Sequence, residues 1–595
     1  MKRSAYCGEI STKDIGNTVT VCGWVHKIRD HGGVLFIDVR DRSGIVQVVI
    51  EEKDNEELYK RASKLRSEYV VCIKGIVRKR PEGTENPKLK TGYVEILMED
   101  LDILNTSDIL PFPVDEETKV SEEIKLRYRY IDLRRESMKE NIIFRHKLYQ
   151  ITRRFFDEKG FIEIETPFLT KSTPEGARDF IVPSRLHPHK FYALPQSPQL
   201  FKQILMIAGF DRYFQIVKCL RDEDLRADRQ PEFTQIDFEM SFVDEEDVME
   251  VCEDLIVLLF RELINVKLDK PFPRITYNEA MEVYGTDKPD RRFDMTLVDL
   301  TDILRNTEFK IFRKSIDEGG AVKSITLKGV SISRKEIDEI TEFARGLGAP
   351  GLAWIKIEGE NLTSPITKFL SKEEIKNILE RSDAKEGDII FFSSGRREEV
   401  NRILGQLRLY LAKKYDLIDN NKWDIVWIVD FPLFEWDEEE RRFVSLHHPF
   451  TSPKLDDVKK LEELFEVRDL EKQKELASQI KARAYDLVIN GEEIGGGSIR
   501  IHREDIQKLI FGILSIDETE AKEKFGFLLE ALKYGAPPHG GFAFGLDRLV
   551  ALMRGLDSIR DVIAFPKTQK GICPLTEAPD YVSPKQLREV HIKVE

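Results

Sequence analysis

The chain has 595 residues, a length that predicts three or more domains. Its composition, with 41% apolar and 34% charged residues, is typical of a globular protein and excludes a collagen-like, fully disordered or coiled-coil chain. The net charge of −14 at pH 7 argues against simple nonspecific binding to nucleic acid.

The first residues and the cysteine pattern bear on the compartment. The start, MKRSAYCGEISTKD, lacks the apolar core of a secretory signal, and no apolar run reaches the ~20 residues that a membrane helix needs. Six cysteines are scattered without C-x-x-C pairs, which favours reduced thiols over a disulfide or zinc framework. The sequence therefore predicts a cytoplasmic protein with no membrane partner and no structural metal.

A first domain, residues 1–105, is predicted from five short β-rich runs separated by glycine and charged turns. The runs are VTVCGWVHKI, GVLFIDVRD, GIVQVVIEE, YVVCIKGIV and GYVEILMEDLDIL. A helical stretch, NEELYKRASKLR, precedes the fourth run, and this order predicts a small closed barrel of the OB type, which commonly binds single-stranded nucleic acid. The segment has 18 Lys and Arg against 17 Asp and Glu, unlike the acidic remainder. A solvated sheet surface is the other explanation of these cations.

The remaining chain is predicted to be a linker and one interrupted domain. Residues 106–139 contain Pro111, Pro113, many acids and the basic stretch LRYRYIDLRR, and predict a hinge. A long helix, ENIIFRHKLYQITRRFFDEKG, ends at Gly160. The helical stretches SRKEIDEITEFARGLG and SKEEIKNILERS come before WDIVWIVDFPLFEW resumes β character. The predicted segments are a catalytic domain in two parts, 140–290 and 421–560, an α+β insertion, 291–420, and a C-terminal extension, 561–595.

Three separated segments together carry the pattern of one enzyme class. After the long helix comes GFIEIETPFL with Pro167, a proline that an edge strand would also explain. Residues 214–239, FQIVKCLRDEDLRADRQPEFTQIDFE, form a strand, a charged loop and a second strand, with Arg221 leaving the first strand. The segment GFAFGLDRL at 541–549 has glycines that allow close backbone approach, and Arg548 begins a helix. These segments resemble motifs 1, 2 and 3 of the class II aminoacyl-tRNA synthetases.

Further stretches identify a family within that class. TPEGARDF, FYALPQSPQLFKQ, RADRQPEFTQ, HHPFTSP and NGEEIGGGSIRIH resemble the signatures of bacterial-type aspartyl-tRNA synthetases, over essentially the whole chain. The resemblance implies a multidomain α/β fold with an anticodon-binding OB barrel, a class II catalytic domain on an antiparallel sheet, and an inserted α+β domain of the GAD type. It also implies a homodimer that uses ATP and Mg²⁺ to attach L-aspartate to the 3′ end of tRNA(Asp).

The resemblance assigns an ATP site with two catalytic residues, Arg221 and Arg548. Attack by the aspartate α-carboxylate on the α-phosphorus needs no general base, so catalysis depends on positioning and on cations at the phosphates. Arginine suits this role because its planar fork donates in pairs. Adenine would lie between Phe233 and Arg548, with Glu223 near its amino group. The implied ATP-binding residues are Arg221, Asp222, Glu223, Gln230, Phe233, Glu493, Gly545 and Arg548.

The aspartate and magnesium sites follow from the same resemblance. Selecting aspartate over asparagine calls for buried cations, and Lys202 and Arg500 match the family's carboxylate readers. Asp486 and Glu493 match magnesium ligands, which a solvated surface pair would also explain were it not for the glycine run GGGSIR. The other residues at aspartate-binding positions are Glu175, Ser197, Gln199, Arg221, Gln235, Asp237, His447 and His448. A histidine pair is otherwise more often structural or metal-related.

The tRNA side is assigned to the barrel. Phe36 matches an anticodon reader that stacks on a base, and a barrel-core position is the other explanation for it. The loop Arg29-Asp30-His31-Gly32-Gly33 resembles that of non-discriminating family members, and its two glycines would loosen it, so that tRNA(Asn) is charged as well. The implied tRNA-binding residues are Arg29, His31, Phe36, Gln47, Arg78 and Glu95.

Other functions remain open at this point. An asparaginyl- or lysyl-tRNA synthetase would share the barrel and the three motifs, but the insertion and the Lys202/Arg500 pair count against both. An inactive tRNA-binding paralogue should have lost Arg221, Arg548 or the acidic pair, which are all present. An ammonia-dependent amide-forming enzyme on the same catalytic fold would have little use for a barrel with anticodon-reading residues.

Overall fold

A computed structural model describes residues 1–116, 119–173, 176–224, 228–359 and 361–594. The chain divides into two compact units. The first unit consists of Met1–Ile143, Arg560–Thr568 and Ile572–Asp580, and the second of Phe144–Ile559, Gln569–Gly571 and Tyr581–Glu595. Among the helices in the described ranges, none has both the length and the apolar character needed to cross a membrane.

The first unit contains the predicted barrel. Its elements are β1 (Thr18–Asp30), β2 (Val34–Asp41), β3 (Gly44–Glu51), α1 (Glu56–Ala62), β4 (Val70–Lys79) and β5 (Val94–Asn105). The strands close in the order β1-β2-β3-β5-β4, which confirms the closed barrel and the helix before its fourth strand. Leu35, Ile37 and Val39 of β2 lie in the barrel core. Because side chains alternate along a strand, Phe36 and Asp38 face outwards.

The cysteine prediction is wrong for one pair. Cys22 of β1 lies opposite Cys72 of β4, and the two are joined by a disulfide. Strand register, and not any sequence motif, brings them together across a separation of 50 residues. The free cysteines, all buried, are Cys7, Cys219, Cys252 and Cys573.

Helices follow the barrel in the predicted linker. They are α2 (Glu122–Arg127), α3 (Arg129–Asp132) and α4 (Glu136–Glu158), after which Gly160 adopts a φ of +76°. The buried Arg129 guanidinium donates hydrogen bonds of 2.9 Å to the backbone carbonyls of Arg560, Ile563 and Ala564. These bonds fix α3 to the 560–564 segment within the first unit.

The second unit begins with the elements around the first two motifs. They are β6 (Ile162–Glu163), β7 (Ile181–Pro183), β8 (Phe191–Ala193), α5 (Gln199–Ile207), β9 (Arg212–Leu220), β10 (Glu232–Ser241), α6 (Glu245–Ile264), β11 (Arg274–Thr276) and α7 (Tyr277–Tyr284). The strand in GFIEIETPFL is only two residues long, so most of that segment is extended without pairing. Strands β9 and β10 flank the charged loop as predicted.

The segment predicted as an insertion contains its own sheet. Its elements are β12 (Val298–Asp299), α8 (Lys310–Asp317), β13 (Ala321–Leu327), α9 (Arg334–Gly346), β14 (Ala353–Glu358), β15 (Asn361–Thr363), α10 (Lys372–Arg381), β16 (Ile389–Gly395) and α11 (Arg397–Lys414). The strand order is β12-β13-β16-β14-β15. Ile389 and Phe391 of β16 pack into one apolar core, and Ile390 and Phe392 into another. Both faces of this sheet are therefore covered, and the two helices predicted here are confirmed.

The last part of the second unit completes the main sheet. Its elements are β17 (Ile425–Val429), β18 (Phe434–Asp437), β19 (Arg442–Ser445), α12 (Val458–Glu466), α13 (Leu470–Gln479), β20 (Ala484–Ile489), β21 (Glu492–Ile499), α14 (Glu504–Ile513), α15 (Glu518–Leu532), β22 (His539–Gly545), α16 (Leu546–Met553) and α17 (Pro584–Glu589). In the described residues the sheet has the order β11-β17-β20-β21-β22-β10-β9-β6, antiparallel from β17 to β9. Its strands come from both sides of the segment predicted as an insertion.

Candidate active site

A cavity of about 580 Å³ in the second unit collects most of the predicted catalytic-domain residues. Its walls include parts of β10, β20, β21 and β22. Asp222 is exposed and does not line it, and Glu175 lies outside the described residues. The predicted residues that line the cavity are Ser197, Gln199, Lys202, Arg221, Glu223, Gln230, Phe233, Gln235, Asp237, His447, His448, Asp486, Glu493, Arg500, Gly545 and Arg548.

Strand alternation explains how β10 contributes several of these side chains. Phe233, Gln235 and Asp237 are two residues apart, so they share one face of the strand. Thr234, on the other face, donates its backbone N–H to Asp547 at 2.7 Å. Neighbouring glycines make room for the acidic groups: a Cβ on Gly541 of β22 would lie 2.1 Å from the Glu239 carboxylate.

Two buried cations share a buried carboxylate beside the cavity. Lys202 Nζ lies 2.6 Å from Asp237 Oδ1 and 3.1 Å from Glu239 Oε2. Arg500 donates to both Glu239 oxygens, at 2.8 and 3.1 Å. Burial acts to raise the pKa of Glu239, but the charges of Arg500 and Lys202 outweigh it and lower the pKa to about 2. Burial raises the pKa of Asp237, an effect that Lys202 opposes.

His448 is held neutral beside these cations. Its Nε2 lies 2.8 Å from Nη1 of Arg500, and the same Nη1 donates to Ser498 Oγ at 2.6 Å. Burial and the charge of Arg500 lower the pKa of His448 well below its ordinary value. A neutral imidazole accepts from Arg500 without adding a third positive charge to the cluster.

A second group of charged residues lines the part of the cavity predicted to hold ATP. The Arg221 guanidinium lies 5.0 Å from the centre of the Phe233 ring. Arg548 donates to the backbone carbonyl of Glu493, and its Nη2 is 3.5 Å from Asp228. Phe233 is thus already paired with one of the two predicted catalytic arginines, while the other lies beside the predicted magnesium ligand.

The predicted magnesium ligands line the cavity on neighbouring strands. Asp486 Oδ1 lies 3.4 Å from His447 Nε2. Burial raises the pKa of Glu493, and the negative charge of Asp486 adds to the effect. In the described ranges no cluster of three or more His, Cys, Asp or Glu is arranged to hold a metal ion. Two carboxylates are nevertheless enough for Mg²⁺, which completes its shell with phosphates and water.

Several polar atoms of the cavity have no partner within the protein. Among the described residues, Gln199 Nε2, His447 Nδ1 and Arg548 Nε are buried and make no hydrogen bond. Buried polar groups are normally satisfied. A bound polar ligand would supply the missing partners.

The predicted anticodon-reading residues form one connected network on the barrel surface. Arg29 donates to Asp38 at 2.8 and 2.9 Å and to Gln47 at 3.2 Å. Gln47 Nε2 in turn donates to Glu95 at 2.8 Å, and so does Arg78 Nε. The network therefore connects side chains from all the barrel strands.

Phe36 lies beside this network and outside the barrel core. Its half-buried ring is 5.6 Å from the ring of His31, edge to face. The core-residue explanation for Phe36 is therefore wrong. All six residues predicted to bind tRNA lie on the outer side of the barrel, where Gln47 and Glu95 are buried beneath the others at 8% and 1% exposure. We call this region the network face and define it by Arg29, His31, Phe36, Gln47, Arg78 and Glu95.

The turn before β2 needs its two glycines. Gly32 and Gly33 have φ angles of +63° and +95°, and residues with a side chain are strained in this region of backbone conformation. The N–H of Gly32 donates to Asp30 Oδ1 at 3.1 Å, and the N–H of His31 donates to the Val34 carbonyl at 3.0 Å. The glycines thus allow the turn that presents His31.

Sequence reasoning missed several residues of these two sites. Glu239 continues the two-residue alternation of β10, Ser498 precedes Arg500 by two residues, and Asp38 follows Phe36 by two, so alternation could have found them. Tyr277 and Asp287 also line the cavity. No local pattern marks these two, because tertiary packing alone brings them there.

Comparison with known proteins agrees with this geometry. The family model for class II tRNA synthetases (D, K and N) matches residues 121–569, and the model for the OB-fold nucleic acid binding domain matches residues 19–104. The chain is 70% identical over 593 residues to an aspartate–tRNA(Asp/Asn) ligase of Aquifex aeolicus (strain VF5), covering 100% of this chain and 98% of that protein. A protein of the same name from Hydrogenobaculum sp. (strain Y04AAS1) is 60% identical and is covered in full.

A solved structure shows the same fold. Asparaginyl-tRNA synthetase from Pyrococcus horikoshii, complexed with asparaginyl-adenylate, superposes with a TM-score of 0.59 at 20% identity, covering 96% of this chain and 98% of that one. The family model covers most of the chain, and relatives of high identity match it from end to end. The chain therefore belongs to the class II aminoacyl-tRNA synthetases, in the family of the aspartate–tRNA ligases.

Proposed function

We propose that this chain is an aspartyl-tRNA synthetase that activates L-aspartate with ATP and transfers it to the 3′-terminal adenosine of tRNA. The observation that carries the proposal is the buried pair of cations, Lys202 and Arg500, beside a cavity that also contains Arg221, Phe233 and Arg548. Such a pair favours a side-chain carboxylate over an amide, because only the carboxylate carries a charge that the buried cations can stabilise. The same pair disfavours an asparaginyl- or lysyl-tRNA synthetase.

In the first step, an oxygen of the aspartate α-carboxylate bonds to the α-phosphorus of ATP, and the bond to the β-phosphate oxygen breaks as pyrophosphate leaves. The carboxylate is already ionised, so the protein's task is to position and to stabilise charge. Arg221 and Arg548 supply cations at the phosphates, and Phe233 supplies a face for adenine. In the second step, a ribose hydroxyl of the terminal adenosine attacks the activated carbonyl, and AMP leaves.

Magnesium fits the acidic pair. Asp486 and Glu493 offer oxygen donors on adjacent strands and face the cavity, which suits a hard cation that takes one or two protein carboxylates. Bound Mg²⁺ would neutralise charge on the ATP phosphates. Burial and then the charge of Asp486 raise the pKa of Glu493, and a cation held by both carboxylates would oppose that rise.

On the barrel, we propose that the network face reads the anticodon. Phe36 offers a half-buried ring outside the barrel core on which an unpaired base stacks, and the amide and carboxylate of Gln47 and Glu95 offer hydrogen bonds to base edges. The charged partners Arg29 and Arg78 hold Gln47 and Glu95 in place before tRNA binds.

We also propose that both tRNA(Asp) and tRNA(Asn) are charged. The relatives at 70% and 60% identity bear the name aspartate–tRNA(Asp/Asn) ligase. The turn with Gly32 and Gly33 presents His31 next to the Phe36 ring, where it meets the base that differs between the two anticodons. Imidazole donates and accepts, so it accommodates more than one base edge.

A homodimer in the cytoplasm completes the proposal. Apolar side chains at the end of the motif 1 segment and just after it are exposed in the single chain: Phe168 48%, Leu169 54%, Ile181 60% and Phe191 47%. Such a concentration suits a protein interface. Sedimentation at micromolar concentration should give twice the chain mass of 69.1 kDa, and the single mass would contradict the dimer.

The experiment for the function is aminoacylation with ¹⁴C-aspartate, ATP and Mg²⁺ on transcripts of tRNA(Asp), tRNA(Asn) and tRNA(Lys). We expect charging of the first two and none of the third. Charging of tRNA(Asp) alone would overturn the dual specificity and leave the synthetase assignment intact. Absence of aspartylation of every transcript would overturn the assignment itself.

A further inference from the structure

The short helix α7 forms part of the cavity wall and connects directly to the insertion. Tyr277, its first residue, lines the cavity, and so does Asp287, three residues beyond its last turn. The position of α7 therefore sets the position of two cavity residues. On one side, α7 is attached to the insertion.

Glu282, near the end of α7, is the point of attachment. Lys323 of β13 lies 2.6 Å from Glu282 Oε2 and donates to the Glu282 backbone carbonyl at 3.0 Å. Arg397 Nη1 donates to the same oxygen at 2.6 Å, and Asn401 Nδ2 to Oε1 at 3.3 Å. Lys323 is 1% exposed, and Glu282 is the carboxylate that compensates its buried charge. All three donors belong to the insertion.

Two glycines allow the backbones of α7 and α11 to touch. Gly285, which ends α7, has a φ of +70°, and a Cβ there would lie 2.1 Å from the Asn401 carbonyl oxygen. A Cβ on Gly405 would lie 2.7 Å from the Gly285 carbonyl oxygen. Any larger side chain at either glycine would separate the two helices. The insertion is therefore attached to α7 by close backbone packing as well as by ion pairs.

On its other side, α7 contacts the residues of the predicted aspartate site. The Tyr277 ring is 5.2 Å from the Phe431 ring, which is 4.6 Å from the ring of His447. All three of these side chains line the cavity. A displacement of α7 would thus be passed to His447 through two aromatic contacts.

We propose that the insertion positions α7 for aspartate activation through Glu282, and that Lys323 and Arg397 are positioning residues for that reaction. This inference rests on the proposed function, because it concerns the same site. It gives the insertion a purpose within a single chain: its buried lysine fixes the wall against which aspartate binds.

The test measures aspartate-dependent ATP–pyrophosphate exchange in the full-length protein. Lys323→Met should raise the KM for aspartate about tenfold, and Arg397→Gln roughly threefold, with kcat changed less than about twofold. Lys323→Arg keeps the positive charge, so its KM for aspartate should be nearer to the parental value. The matched control is Lys414→Met, which removes an ion pair with Glu339 at 3.1 Å between two helices of the insertion. It should leave the KM for aspartate at the parental value.

A double variant shows whether the effect passes through Glu282. If it does, Glu282→Gln combined with Lys323→Met should raise the KM no further than Lys323→Met alone. Parental KM values in folded Lys323→Met and Arg397→Gln would overturn the inference, and so would an equal rise in Lys414→Met. If Lys323→Met does not fold, the KM of Arg397→Gln tests the inference. Arg397 is 45% exposed, so its replacement should leave the protein folded. A parent without any aspartate-dependent exchange would instead overturn the proposed function.

Discussion

The catalytic cavity and the network face of the barrel differ in how far water reaches their positive charges. Beside the cavity, Lys202, Glu239 and Arg500 keep 2%, 0% and 3% of their side-chain surface exposed. On the barrel, the carboxylates of Asp38 and Glu95 are also buried, at 10% and 1%, but their partners Arg29 and Arg78 keep 41% and 35% of their surface exposed. Charge interactions are several-fold stronger away from water. The cavity is therefore built to detect one charge on a small ligand, and the barrel to position groups that stack and donate.

The largest effect is expected in the cavity, from replacing the buried Arg500. Arg500→Leu leaves Glu239 with Lys202 as its one remaining cation and removes a partner of the substrate carboxylate. We expect aspartate-dependent pyrophosphate exchange to fall by at least about 10²-fold, since losing one member of a buried charge pair costs about 3–5 kcal/mol and each 1.4 kcal/mol is about tenfold. Arg483→Leu is the matched control, because it removes an arginine paired with Glu245 at 2.6 Å away from the cavity lining. Unchanged exchange in a folded Arg500→Leu protein would show that Arg500 does not read aspartate.

The role of the network face is tested by removing the Phe36 ring. Phe36→Ala should reduce kcat/KM for aminoacylation by about 1–3 kcal/mol of lost stacking, and leave pyrophosphate exchange intact because no tRNA takes part in it. The control is Tyr93→Ala, which removes another exposed barrel aromatic that is not part of the network face. An equal loss in both assays would mean that Phe36 supports the fold instead of binding RNA.

The smallest expected effect concerns the neutral histidine in the cavity. Burial, Arg500, His447 and Lys202 all lower the pKa of His448, so the folded state keeps it neutral. The unfolded chain takes up a proton as pH falls through about 6.5, so this group lowers folding stability towards acid, by at most about 1.4 kcal/mol per pH unit. His448→Asn lacks that contribution. Between pH 7 and pH 5 the melting temperature of the parent should therefore fall more than that of the variant. An equal fall in both proteins would show that His448 becomes protonated in the folded state.

Much of the fold could be predicted because local patterns carry it. The alternation that makes β2 and β10, the helix before β4 and the helices of the insertion follow from periodicity and turn residues. The pairing of Cys22 with Cys72 could not be predicted, because it depends on register between strands. The two-residue length of β6 depends on its neighbour β9, which the sequence does not specify.

The candidate site shows the same division. Lys202 and Arg500 came from the resemblance of short motifs, although they lie far apart in the chain, and the structure joins them through Glu239. The alternation of side chains along β10 is the sequence signal that marks Glu239. Tyr277 and Asp287 had no signal at all, since packing of α7 between the insertion and the sheet brings them to the cavity.

The central claim is that buried cations select aspartate by the charge of its side chain. The most direct measurement is kcat/KM for pyrophosphate exchange with aspartate and with asparagine, made on the parent enzyme under identical conditions. A site that pairs a buried charge rejects the uncharged analogue strongly, so the account predicts a preference for aspartate of at least about 10³-fold. Exchange with asparagine within tenfold of the aspartate rate would contradict it.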